Sequence, residues 1–502
     1  MKAFLMYRDR DFDPGQPLPL NERELTQDLE LETLLNAMAL DDEFLFETAK
    51  KAVLAGLKDA DTILYRQDIL RDCMKNAGAV RDIYNISEEV LAKKKKRWFG
   101  FFNRYPGGII SGAVSMLQMF VGQLQGLKDI TDEHADKFES EGFRRFFAMI
   151  SEELNDKYFK IIQYHLDELK FKNGVLLSAE LGQGNEGKNY ILRKPHDKKN
   201  KSLVKRIFAR KPAYSFNIHP RDEHGARALS ELKDRGINIA ANALAQSADH
   251  IDSFFHMLRT ELAFYIGCLN LYEQLVRLEE PAAFPEPAAS GKKQHTFNGL
   301  YDICLALTVK RKVTGNDMEA DSKNLMIITG ANQGGKSTFL RSIGLAQLMM
   351  QCGMFVPAES FRADIREGVF THYKRKEDAS MKSGKLDEEL KRMSGIVDNI
   401  KPGSMLLLNE SFAATNEREG SEIARQIILA LLGKGIKIFF VTHLYEFADG
   451  FYGRKTKNIL FLRAERQPDK KRTFRIIVGR PLQTSFGEDL YKEIFVAEEQ
   501  TN

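Results

Sequence analysis

Residues 325–340 read LMIITGANQGGKSTFL, and this stretch decides the fold. An apolar run suited to a buried strand leads into a glycine-rich turn, and a helical pattern follows. GANQGGKST satisfies the pattern GxxxxGK[ST] in the strand–loop–helix setting that the pattern requires. Gly330, Gly334 and Gly335 let the backbone curl so that the amides of Ala331, Asn332 and Gln333 turn inward toward phosphate oxygens. The N-terminus of the next helix adds positive potential. Lys336 reaches the β- and γ-phosphates, Ser337 offers a hydroxyl to magnesium, and Thr338 completes the expected nucleotide-binding run 330–338. The expected ligands are ATP and Mg2+.

Such a loop needs an acidic strand end beside it. Residues 404–411, SMLLLNES, supply an apolar run that ends in Asn409 and Glu410. Glu410 is the expected general base for the attacking water; a charged strand end with no catalytic task would look the same. Asn409 takes the metal-side position, where an amide can accept a hydrogen bond from a metal-bound water but brings no charge. A third strand, KIFFVTH at 437–443, ends in His443, which is placed to contact the γ-phosphate and the water. A histidine at a strand end can also be incidental.

Outward from this centre, short strands alternate with helices beyond residue 296, the pattern of an α/β domain with a largely parallel sheet. Residues 281–295, with three prolines in EPAAFPEPAASGKK, read as a linker. Residues 225–280 read as long lever helices and residues 1–170 as a helical core. Between them, residues 171–224 read as a β-rich insert, because FKNGVLLSAELGQGNEGKNYILRK holds two extended runs around a Gly/Asn turn. The fold class is therefore multidomain: a helical core and lever region with a small β-rich clamp-like insert, then an α/β P-loop ATPase domain of the ABC type.

The 502 residues exceed one ordinary core, and 43% hydrophobic with 29% charged residues is a globular profile. The 74 Lys and Arg against 70 Asp and Glu leave only +4, so any basic surface must come from clustering. One cluster is present: RKPHDKKNKSLVKRIFARK at 193–211 holds nine Lys or Arg, with Lys198, Lys199, Lys205 and Arg206 at its centre. It suits phosphate backbones, and a solvated loop would show the same composition. The run Lys93–Arg97, followed by Trp98 and three phenylalanines, is a second basic–aromatic candidate, although its aromatics also suit a core. Four scattered cysteines suggest neither disulfides nor zinc, and a cytoplasmic location is expected. The apolar stretch 107–122 is short for a membrane span and reads as a buried helix, so no membrane partner is expected.

The motifs carry a family resemblance. Residues 330–360, 404–420 and 441–447 resemble the phosphate loop, acidic strand and histidine loop of the MutS family, and PLQTSFGEDLYKEI at 481–494 resembles its Ser-aromatic-Gly helix. LKDADTILYRQDILRDC at 57–73 is similar to the start of its helical core. The family has an Asp-Glu pair where this chain has Asn409–Glu410, which implies slower hydrolysis of ATP to ADP and phosphate. SGKLDEE at 383–389 takes the place of the family's signature segment, which completes the ATP site of the partner subunit. That implies a homodimer with Ser383 and Glu388 acting in trans, while an ordinary N-cap serine would look similar. The resemblance also implies a DNA-binding clamp, double-stranded DNA as partner, and a role related to DNA repair. No mismatch-reading segment and no nuclease-like tail is found, so neither activity is expected. The alternatives are a MutS-like ATPase acting on RNA or ribonucleoprotein, and a nucleotide-gated binding protein with little hydrolysis.

Overall fold

Leu325–Thr329 is a fully buried strand at the centre of a six-stranded sheet in the computed structural model of the protein. The structure describes residues 1–98, 106–172, 174–194, 216–375, 384–453, 457–467 and 472–482. Two compact units divide the chain: Met1–Ala3, Gly78–Phe138 and Phe143–Arg259 form the first, and Phe4–Ala77, Glu139–Gly142 and the residues from Thr260 onward form the second.

In the first unit the described helices are α5 (Ala77–Trp98), α6 (Pro106–His134), α7 (Glu141–Glu153), α8 (Asp156–Glu168) and the early part of α9 (Glu223–Arg277). The second unit opens with α1 (Glu22–Asp28), α2 (Leu31–Ala39), α3 (Glu43–Ala55) and α4 (Ala60–Lys75). Helix α6 buries Ile110, Ala113, Val114, Leu117, Phe120, Leu124, Leu127 and Thr131, a stripe at three- and four-residue spacing. Among the described residues, 106–137 is the one helix long and apolar enough to cross a membrane. The stripe packs inward, with Phe120 meeting Phe255 of α9 at 6.2 Å between ring centroids, while Ile109, Met116, Met119 and Val121 are only partly buried. Ion pairs of Lys94 with Asp252 (2.7 Å) and Arg259 with Glu88 (3.0 Å) join α5 to α9. The insert is an antiparallel hairpin of β1 (Leu176–Leu181) and β2 (Gly187–Arg193), with a bulge between Ser178 and Glu180. A Cβ at Gly236 of α9 would lie 2.3 Å from a Leu177 methyl, so the hairpin packs closely on α9 there.

The second unit holds both remaining sheets. The larger has the order β12-β11-β6-β10-β9-β8, with β6 Leu325–Thr329, β8 Val369–Tyr373, β9 Met405–Asn409, β10 Lys437–Val441, β11 Ile459–Arg466 and β12 Arg472–Val478. All are parallel except β12, which pairs antiparallel with β11. LMIIT, MLLLN and KIFFV are continuous apolar runs because both faces of a parallel sheet are covered. One face of Leu325, Ile327, Leu406, Leu408, Ile438 and Phe440 packs on Ala424, Ile428 and Leu431 of α13 (Glu417–Gly433) and on Phe447 and Phe451 of α14 (Tyr445–Tyr452). The other face receives α11 (Lys336–Cys352), whose Gly344 leaves no room for a Cβ, which would fall 2.7 Å from Leu407. Burying one such Leu, Ile or Phe contributes about 1.5–3 kcal/mol. The smaller sheet has the order β3-β7-β4-β5: β3 Glu286–Ala288, β7 Ser360–Asp364, β4 His295–Leu300 and β5 Asn316–Glu319. Helices α10 (Ile303–Val309) and α12 (Lys385–Asn399) complete the unit.

Two expected segments differ in the structure. Residues 281–295 are not a linker: Ala283 bridges Val356, and β3 pairs with β7 through Glu286, Pro287 and Ala288. Pro287 is tolerated because β3 is an edge strand, paired on one side only. Residues 1–170 are not one helical domain, since Phe4–Ala77 belongs with the phosphate-loop sheet. Arg66, wholly buried, donates to the carbonyls of Met6 (2.9 Å) and Cys352 (3.2 Å), and Gln351 donates to that of Leu57 (3.1 Å). Residues 225–280, expected to be helical, lie largely in the single 55-residue helix α9, and the division between units falls inside it.

Candidate nucleotide site

Strand β6 delivers the chain to the loop, and two glycines allow the turn there. Gly330 has φ +115° and Gly335 φ +84°, a region that residues with a Cβ rarely occupy. The loop also runs tightly under β11, where a Cβ on Gly334 would fall 2.8 Å from that of Ala464. Lys336 heads α11 and is only 5% exposed. Its ammonium donates to the carbonyls of Gly330 (2.9 Å) and Ala331 (2.8 Å), which ties the loop into a ring. Desolvation pushes its pKa down to about 8, against the opposing pull of Glu410.

The ends of β9 and β10 face this ring. Ser337 donates its hydroxyl to Asn409 Oδ1 at 3.0 Å, so the two metal-side candidates meet directly. Glu410 Oε1 lies 3.3 Å from His443 Nε2, and Glu410 Oε2 lies 3.8 Å from Lys374 Nζ. The hydrogen bond to His443 lowers the Glu410 pKa most, opposed by desolvation and aided by the charges of His443, Lys374 and Lys336. Of the residues singled out by sequence, the structure brings together the loop 330–338, Asn409, Glu410 and His443. Glu388 instead faces its own helix, 3.7 Å from Arg392. Ser383 and the cluster Lys198, Lys199, Lys205 and Arg206 lie outside the described residues.

A cavity of about 910 Å³ opens over the loop, within the size range of ligand pockets. It is lined by Asn332–Phe339, Glu410, the segment 311–316 and Thr473–Arg475 of β12. Sequence reasoning missed this roof. Arg472 donates to Gln333 Oε1 at 2.6 Å, and Asn316 accepts the Ile476 amide at 2.7 Å, so β12 is fastened to the loop and to β5. Lys374 was missed as well. The hydrogen bond of its amide to the Asn409 carbonyl (3.0 Å) extends the β8–β9 ladder by one residue and sets it beside Glu410. A lysine just past a strand that neighbours the acidic strand is the signal that could have found it.

Magnesium fits this donor set in a limited way. Ser337 and Asn409 offer neutral oxygens, and among the described residues there is no group of three or more His, Cys, Asp or Glu that could hold a metal. That suits an ion that keeps most of its waters and arrives on phosphates rather than one held by a protein cage.

Comparison with known proteins adds independent findings. Residues 58–278 match the MutS2 N-terminal domain, and residues 326–499 match MutS domain V, which includes Lys336, Glu410 and His443. The chain is similar to MutS protein homolog 4 of Homo sapiens, 28% identical over 261 residues, covering 50% of this chain and 26% of that protein. It is similar to DNA mismatch repair protein MutS of Caldicellulosiruptor saccharolyticus, 22% identical over 467 residues, covering 86% of this chain and 49% of that protein. It is also similar to Endonuclease MutS2 of Carboxydothermus hydrogenoformans, 30% identical over 160 residues, covering 32% of this chain and 20% of that protein. The chain thus spans about half or less of the length of these relatives.

Proposed function

We propose, from the premise that this chain belongs to the MutS family of ATPases, that it binds ATP on residues 330–338, hydrolyses it slowly, and couples nucleotide state to a dimeric grip on double-stranded DNA. The observation that carries the ATPase reading is the meeting of three strand ends: Lys336 and Ser337 after β6, Asn409 and Glu410 after β9, and His443 after β10. Glu410 accepts the proton of the attacking water, and His443, against its carboxylate, orients the pair toward the γ-phosphate. Lys336 is already desolvated, so its charge acts on phosphate in a low-dielectric pocket. Ser337 and Asn409 would hold the magnesium ion and its waters; when bound, the ion neutralises phosphate charge.

Slow turnover follows from the chemistry of Asn409 and Glu410. Asn409 is neutral, and the bond to His443 holds the Glu410 pKa below its ordinary value, which makes it a weaker base. The same features favour the second reading, a nucleotide-gated binding protein with little hydrolysis. DNA binding rests on the basic cluster at 193–211 and on the names of the relatives.

ATP turnover and ATP affinity, measured with and without duplex DNA, branched DNA and structured RNA, test the proposal. Lys336→Ala should weaken ATP binding at least tenfold, since a hydrogen bond to a charged group contributes about 1.5–3 kcal/mol. Glu410→Gln should bind ATP normally and lose about 10²-fold or more in turnover. Unchanged ATP affinity in Lys336→Ala would sink the nucleotide site. Wild-type turnover no higher than that of Glu410→Gln would leave the gated-binding reading, and stimulation by RNA alone would replace DNA as the partner.

A further inference from the structure

We propose that Glu389 is a positioning residue for Glu410, holding from helix α12 the backbone turn that aims the general base. This deepens the ATPase reading above and rests on it.

Strand β9 ends at Asn409, and the chain then turns through Glu410, Ser411 and Phe412. Glu410 has φ +54° and Phe412 φ +64°, so two residues with side chains sit in the left-handed region within three positions. Such backbone persists only where its surroundings over-determine it. Here two elements do so. The Glu389 carboxylate, 2% exposed, accepts the Phe412 amide at 2.9 Å. His372, in β8, has Nε2 3.0 Å from the Glu389 carbonyl and Nδ1 2.7 Å from the Ser411 hydroxyl.

Burial lowers the His372 pKa to about 4, so the ring is neutral and carries one proton. A carbonyl has no proton to give, so Nε2 holds the proton, and the Ser411 hydroxyl lies between two acceptors, Nδ1 at 2.7 Å and the His372 carbonyl at 2.8 Å, which share its one proton. Ring stacking of His372 on Phe412, 5.7 Å between centroids, closes the same side. On the other side, a Cβ at Gly420 would fall 2.5 Å from the Phe412 carbonyl, so α13 leaves the turn no room to relax that way.

Ser411 and Phe412 are thus wholly buried, and Glu410 is the residue of the turn whose side chain reaches the cavity. Glu389 does not line the cavity; its carboxylate bonds the backbone that roots Glu410, and its charge is also felt by Arg392 and Lys374. Without that acceptor, the buried Phe412 amide is unpaired and the turn loses one of the two elements that hold it left-handed. A carboxylate displaced by about an ångström loses about 10²-fold in rate.

The test measures kcat, ATP affinity and thermal stability of the full chain carrying Glu389→Ala, Glu389→Asp or Glu389→Gln, beside wild type and Glu410→Gln. Glu389→Ala should lower kcat ten- to a hundredfold while ATP affinity stays within threefold. Glu389→Gln keeps an acceptor oxygen and should restore kcat to within threefold of wild type. Glu389→Asp keeps the charge but withdraws the oxygen by one methylene and should be impaired. If Glu389→Ala does not fold, the Gln–Asp contrast carries the test. A folded Glu389→Ala with wild-type kcat, Asp equal to Gln, or losses of kcat and ATP binding that fall together with the folded fraction would each overturn the positioning role. Wild-type turnover no higher than that of Glu410→Gln would overturn the ATPase reading and this inference together, whereas active wild type with indifferent Glu389 variants overturns this inference alone.

Discussion

In the proposed ATPase, Asn409 is the residue at which a single substitution tests the slow turnover most directly. Its amide oxygen accepts the Ser337 hydroxyl at 3.0 Å, in the place where a carboxylate oxygen would both accept that bond and carry charge toward a metal. Asn409→Asp preserves shape and adds one negative charge beside a divalent ion. The magnesium concentration giving half-maximal turnover should therefore fall severalfold, and kcat should rise; titration of ATPase activity with magnesium checks this. No change in either quantity would mean that the ion is held by phosphates alone. The residue pattern was legible here. Loop, acid and histidine could all be picked out of the chain because each closes an apolar run, and strand ends in a parallel sheet converge on one edge. Lys374 was not legible, because its place depends on which strand lies beside β9.

At the scale of elements, the N-terminal segment is fastened to α9 by the Tyr265 hydroxyl, which donates to the Leu5 carbonyl at 2.6 Å, and by a buried carboxylate. Glu261 accepts the amides of Leu5 (2.6 Å) and Phe12 (2.9 Å), and desolvation raises its pKa to about 7 despite those bonds. A carboxyl whose folded pKa exceeds its unfolded value of about 4.3 binds more protons in the folded state. Its contribution to stability is full below the unfolded pKa and is lost as pH rises through about 7. Thermal melts of wild type and Glu261→Gln from pH 4 to pH 8 should show wild type losing about 1–3 kcal/mol relative to the variant over that window. A constant difference would mean that Glu261 is ionised throughout. Nothing in the sequence marked this glutamate. It sits among apolar residues on a long amphipathic helix, and only the folding back of residues 5–12 onto that helix buries it.

For the whole molecule, the testable property is salt dependence. The cluster at 193–211 carries nine Lys or Arg, and Lys and Arg read backbone phosphates rather than bases. Affinity for duplex DNA should fall steeply with salt. Neutralising Lys198, Lys199, Lys205 and Arg206 together should flatten the log–log slope by up to about one unit per lost phosphate contact. Unaltered affinity and slope in the quadruple variant would reduce the cluster to a solvated loop. The hairpin that leads into it is mostly exposed and is seated against Gly236 of α9, an arrangement that leaves its outer surface open.

By itself, the sequence determined the glycine turn after β6, the strand ends at Asn409 and before His443, the buried parallel strands and the hairpin near residue 180, because each rests on short-range chemistry: glycine φ freedom, continuous apolar runs and turn residues. Only the tertiary structure decided that residues 4–77 pack with the phosphate-loop sheet, that the proline-rich stretch 281–295 joins the smaller sheet, and that β12 roofs the nucleotide cavity. These facts depend on partners far apart in the chain, such as Arg66 with Cys352 and Arg472 with Gln333. The same holds for Glu389 and the Phe412 amide: a buried acid among the acidic residues of an amphipathic helix looks like its neighbours until the fold sets a strained backbone against it.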